Sequence, residues 1–152
     1  MQATQTLMWL ILQYSDNQKE TKMSQVIIHS NSNGGVSLTV PTGEISVQAV
    51  LEKDCPSGAI IVDDSTLPQG ADAQFFDAWE LSGSTVTVNF EKAKAIKLAQ
   101  FNASAIQEAQ KRQLNTLAGI PNAVSDADFT DSLVAGRASI ASATTTAELV
   151  AI

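Results

Sequence analysis

Hydrophobic and polar residues alternate in short runs over much of the first half of the chain. The run from Val26 to Ser30 is rich in β-branched residues, and apolar side chains occupy every second position from Val36 to Val40. Between these runs, NSNGG supplies residues that accept positive φ, so it predicts a chain reversal. Turn residues and apolar spacing predict three further strands and one short helix, at 59–62, 78–81, 85–90 and 46–53 respectively.

The pattern changes to helical spacing after residue 90. Residues 91–118 contain neither glycine nor proline and are rich in good helix formers. Their apolar stripe is thin and made partly of alanines, which suits a close helix–helix contact. Gly119 and Pro121 predict the end of this helix, and capping patterns at 125–128 and 145–148 predict two more helices. The stripe consists of Ile96, Ala99, Ala103, Ile106, Leu114 and Leu117.

Together these patterns predict an α+β protein. A small antiparallel β-sheet unit with one short helix occupies residues 25–90, and a long helix with a helical hairpin occupies residues 91–152. Residues 1–24 form a separate segment with an apolar run, LMWLIL. The run is too short to span a bilayer, and it lacks the basic region and cleavage site of a secretory signal. Two interpretations stay open: an upstream extension without defined structure, or an anchor that buries Trp9 and Leu10 against another subunit.

Composition narrows the classes of partner. Apolar residues make up 44% of the 152 residues, which is enough to form a core. The net charge of −7 disfavours binding to a nucleic-acid backbone, so proteins are the expected partners. Cys55 is the only cysteine, and it is either a free thiol or half of an intermolecular disulfide.

The sequence offers little for catalysis. Its only histidine, His29, lies within a predicted strand, and no G-x-S-x-G motif is present. One cysteine and one histidine are too few for a zinc site, and the acidic residues lack the spacing of a calcium-binding loop. We therefore predict no catalytic residue, no cofactor and no metal.

Several short motifs occur in a fixed order between Met23 and Ile152, and their order is more specific than any one of them. They are N-x-x-GG-V, D-x-P-x-G-x-x-x-x-x-D, A-W-x-L and a K-A-x-x-I helix register in which Leu98 replaces the last aliphatic residue, and the chain closes on ATTTAELVAI. In this order they resemble small tail proteins of tailed bacteriophages, encoded beside tail-fibre genes and described as tail-fibre assembly or tail-associated proteins. The matching residues are Asn31, Gly34, Gly35 and Val36; Asp54, Pro56, Gly58 and Asp64; Ala78, Trp79 and Leu81; and Lys94, Ala95 and Lys97.

The resemblance implies a non-enzymatic protein that binds a tail-fibre or baseplate chain and assists fibre assembly in the host cytoplasm. The alternative is a permanent virion component, attached to the fibre or baseplate. An enzyme that depolymerises host glycans is disfavoured because no acid/base pair stands out. We expect Trp79 in the core, and a homo-oligomer through the long helix is a further expectation. The residues expected to contact the partner are Trp9, Leu10, Phe101, Ile106 and Leu114.

Overall fold

The computed structural model describes residues 25–152, which form two small antiparallel sheets followed by three helices. This architecture confirms the predicted α+β class, although the strands divide into two sheets. The strands are β1 Gln25–Ser30, β2 Val36–Thr39, β3 Ile60–Asp63, β4 Trp79–Ser82 and β5 Thr85–Val88. The helices are α1 Val47–Asp54, α2 Phe90–Leu117, α3 Asp126–Ser142 and α4 Thr146–Ala151. Two 3-10 segments, Asp64–Thr66 and Asp72–Ala78, lie between β3 and β4.

The first sheet has the order β2-β1-β3, with β1 antiparallel to both neighbours. The reversal between β1 and β2 follows from the side chain of Asn31, whose Oδ1 accepts from the backbone N–H of Asn33 and Gly35 at 3.0 and 2.9 Å. Gly34 takes φ +75° there, a value that L side chains rarely adopt. The predicted reversal at NSNGG is therefore confirmed.

The two sheets enclose the first hydrophobic core. Val26 and Ile28 point from β1 to one face of the first sheet, where they pack with Trp79 and Val86 from the β4–β5 hairpin. The indole N–H of Trp79 donates to the carbonyl of Asp72 at 3.0 Å, so this buried ring is fully satisfied. Trp79 is a core residue, as expected. The intervening Ile27 is buried on the opposite face, the side on which α1 packs.

Helix α2 begins directly after the hairpin. The Asn89 side chain accepts from the backbone N–H of Lys92 and so caps the helix. Phe90 is therefore the first helical residue, which corrects its predicted place at the end of a strand. The helix ends at Leu117, where Gly119 and Ile120 donate to the carbonyls of the last turn in a Schellman arrangement.

Helices α3 and α4 return along α2 and close a second core. Both predicted caps are present: Ser125 accepts from Asp128, and Thr145 and Glu148 form a capping box. This core joins the second 3-10 segment to the helices, so the sheet region and the helical region pack together. Its buried members are Phe75, Ala78, Ala93, Ile140, Ala143 and Leu149.

Candidate partner-binding surface

The start of α2 is fixed to the hairpin by a small polar cluster. Besides capping the helix, Asn89 donates from Nδ2 to Oε1 of Glu80 on β4 at 3.0 Å. The Lys92 ammonium lies 2.6 Å from the same carboxylate oxygen. The hydrogen bond from Lys92, with that from Asn89, holds the pKa of Glu80 below its ordinary value. The cluster sets the direction in which α2 leaves the sheets.

One side of α2 packs against α3. The approach is close at Gly136, where an added Cβ would lie 2.3 Å from Cζ of Phe101. Next to this contact, Nε of Arg137 donates to Oδ1 of Asn102 at 3.1 Å. Phe101 and Ala105 are half-buried on this side, which we call the inner face of α2.

The far end of the helix pair is held by Arg112. Its side chain is 7% exposed, and Nη2 donates to the Val124 carbonyl at 2.9 Å and to a carboxylate oxygen of Asp126. The guanidinium also lies 4.9 Å from the centre of the Phe129 ring, a cation–π distance. A single side chain on α2 thus ties down the loop and the first turn of α3.

Among residues 25–152, no element covers the opposite side of α2 over its second half. Ile106, Leu114 and Leu117 are 59, 65 and 78% exposed. At about 100° per residue they project away from α3, together with exposed alanines and glutamines. We call this set the outer face: Ala99, Ala103, Ile106, Gln110, Leu114 and Leu117.

Exposed apolar side chains continue past the end of α2. Ile120 and Val124, in the loop to α3, are 54 and 51% exposed. These two side chains are an apolar extension beyond the end of α2, in a loop whose Val124 carbonyl accepts from Arg112 of the inner face. Exposed apolar side chains that share one helix face, as on the outer face, mark a protein-interaction surface more often than a scattered leucine does.

The structure brings together only part of the predicted contact set. Ile106 and Leu114 share the outer face, whereas Phe101 lies on the inner face and packs on α3. Trp9 and Leu10 lie outside the described residues. Leu117, Ile120 and Val124 were not among the expected contacts, because only the tertiary structure distinguishes the covered side of α2 from the exposed one.

The predicted stripe on α2 therefore does not mediate the contact with α3. Apart from Ile96, which packs against the second core, its members are exposed. The contact uses Phe101 and Arg112 instead, because an aromatic ring over a glycine and a multidentate guanidinium hold α3 better than alanines do. The apolar stripe is left available to another chain.

Other reactive side chains stand apart from this surface. His29 is half-buried on β1, and its Nδ1 has no hydrogen-bond partner among residues 25–152. Cys55 is half-buried where α1 ends, and it forms no disulfide within the described chain. In that same part of the chain no group of three or more His, Cys, Asp or Glu side chains is arranged to hold a metal ion.

In two of the surface clefts lined by described residues, no nucleophile lies next to a base. One lies beside the β1–β2 turn, between Asn31, Asn33 and Asp77. The other lies between α2 and α3, beside Arg112 and Thr130. The outer face, with its apolar extension, is therefore the best-defined candidate site.

Among residues 25–152, no helix is both long enough and apolar enough to cross a membrane. Comparison with protein-family models, with curated proteins and with solved structures found no match to this sequence.

Proposed function

We propose that this chain is a non-enzymatic tail-fibre-associated protein of a tailed phage, which binds a fibre or baseplate chain and assists fibre assembly in the host cytoplasm. The motif order described above supports the phage assignment. The binding mode rests on one observation: α2 carries an exposed, uncharged apolar face that no other described element of the chain covers.

The outer face suits binding to a fibre subunit that has not yet trimerised. A fibre subunit before trimerisation exposes apolar side chains and strand edges, which favour aggregation. An apolar helix face covers such a surface without demanding matched charges, because its one polar member, Gln110, has both donor and acceptor groups. Trimerisation of the fibre then buries the same surface and releases the protein.

The fold supplies the stiffness that this role needs. Helix α2 has 28 residues, so it is about 42 Å long. It is fixed to the sheets at Asn89 and braced by Arg112 at its other end. Ile106, Leu114 and Leu117 are therefore presented in a fixed spacing, which lowers the entropy lost on binding.

Co-expression with the neighbouring fibre gene tests the proposal. We expect soluble trimeric fibre with the wild-type chain, and aggregated fibre when the chain is absent or carries Ile106→Asp with Leu114→Asp. The control is Val134→Asp, which places one aspartate at a 62% exposed valine on the far side of α3 and is compared with each single substitution as well as with the pair. The control should support trimerisation as the wild type does.

If the fibre trimerises equally well with and without the protein, the assembly role is contradicted. Mass spectrometry of purified particles separates an assembly factor from a structural component. Absence from the particle supports an assembly factor, whereas a stoichiometric amount supports the alternative, a structural component of the fibre or baseplate.

A further inference from the structure

The outer face of α2 forms one continuous stripe along the helix, which we call the seam. Its six members follow one another at intervals of four, three, four, four and three residues, a mean of 3.6. This mean equals the period of a straight α-helix, so the seam stays on one side of the helix over several turns. Between Ala99 and Leu117 the stripe is about 27 Å long.

The half of α2 around this seam contains no charge. Every charged residue between positions 97 and 117 projects toward the inner face or the flank beside it: Lys97, Glu108, Lys111 and Arg112. This distribution is unusual for a chain of net charge −7. A second copy brings no like charge into the seam, so the one strong obstacle to self-association of an acidic protein is absent there.

The polar residues of this half are self-complementary. They are Gln100, Gln107, Gln110 and Gln113, and each primary amide both donates and accepts. A glutamine thus finds a partner in an identical chain. Heterotypic coiled coils usually select their partner through several charges flanking the seam, whereas between positions 97 and 117 only Lys111 lies near that flank.

The position of the second core favours one relative orientation of the two α2 helices in a pair. Ile96, one turn before Ala99, packs against this core, so the body of the protein lies beside the start of the seam. In a parallel pair the two bodies would meet at the same end. An antiparallel pair places them at opposite ends, further apart than the screening length of about 8 Å at physiological salt.

Side-chain sizes favour the same orientation. In an antiparallel pair centred near residue 108, Ala99 lies opposite Leu117 and Ala103 lies beside Leu114 of the other copy. Large side chains then meet small ones toward both ends of the seam, while Ile106 lies opposite Gln110 at its middle. A parallel pair would instead leave alanine opposite alanine along the first half of the seam.

From these observations we propose that the free protein forms an antiparallel two-fold dimer through the outer face of α2. The inference is independent of the proposed function. It assigns the outer face an occupant, a second copy of the same chain, without reference to a fibre.

Sedimentation equilibrium of the purified full chain tests the association. We expect a mass near twice 16.1 kDa at concentrations on the order of 100 μM, since a seam of this length is small for a stable interface. Ile106→Asp with Leu117→Asp should sediment at 16.1 kDa with unchanged circular dichroism, while Val134→Asp should remain dimeric. A monomeric wild type, or a dimer that survives the double substitution, overturns the proposal.

Cysteine cross-linking tests the orientation in a Cys55→Ser background. A chain carrying Ala99→Cys is mixed with a chain carrying Leu117→Cys and oxidised gently. An antiparallel pair gives the mixed disulfide, whereas a parallel pair gives only the two homodisulfides and overturns the assigned geometry. Neither experiment involves a fibre chain, so failure here is distinguishable from failure of the proposed function.

Discussion

Removing the Arg112 side chain should loosen the far end of the helix pair. The Arg112→Ala substitution deletes the charged donor to the Val124 carbonyl, the ion pair with Asp126 and the contact with the Phe129 ring. It also exposes the apolar surface on which the arginine stem packs.

The expected cost follows from the burial of each partner. The hydrogen bond to the carbonyl involves a charged, buried donor and contributes about 1.5 kcal/mol. The cation–π contact adds about 0.5–1 kcal/mol, and loss of two buried methylenes about 1.5 kcal/mol. The Asp126 side chain is 90% exposed, so its ion pair adds little. We expect a total loss of about 2–4 kcal/mol in the free energy of unfolding.

Urea unfolding followed by circular dichroism measures this loss. Lys111→Ala is the matched control, because Lys111 precedes Arg112 on the same helix and its side chain is 68% exposed. Arg112→Lys should recover only part of the stability, since an ammonium lacks the planar fork that reaches two acceptors. A loss below about 0.5 kcal/mol for Arg112→Ala, the range of ordinary surface substitutions, would refute this reasoning.

Three further predictions concern other contacts. Gly136→Val should lower the free energy of unfolding by about 1–3 kcal/mol in urea, because even a Cβ collides with the Phe101 ring. Asn89→Ala should cost about 0.5–2 kcal/mol by removing the cap of α2, and calorimetry should show the lower Tm. Hydrogen bonds from the backbone and side chain of Thr144 lower the pKa of Glu148, so this carboxylate stabilises the fold above its ordinary pKa of 4.5. Glu148→Gln should therefore be less stable than wild type at pH 7, and the difference in urea midpoint should shrink as the pH falls below 4.5.

Local signals in the sequence predicted the parts of the fold that local contacts determine. The turn after β1 depends on Asn31 and Gly34, and the last helix begins where Thr145 and Glu148 cap each other. These interactions span four residues or fewer. Residue identities alone were therefore enough to place them.

Features that depend on distant contacts were not predictable in the same way. Phe90 has the alternating spacing of β5, yet it begins α2 because Asn89 caps the helix and bonds to Glu80 nine residues earlier. The same limit applied to the candidate site. The stripe on α2 showed which residues share a face, but the contact of Phe101 with Gly136 decides which face α3 covers.

The junction at Asn89 makes α2 a lever. One residue separates the last strand from a helix about 42 Å long, so a tilt of about 10° at the hairpin would move the distant loop by about 7 Å. A small adjustment where Asn89 meets Glu80 would thus be amplified at Ile120. Because α2 is held at Asn89 and packs through Ala93 in the second core, the hairpin sets where that loop lies at the far end of the helix.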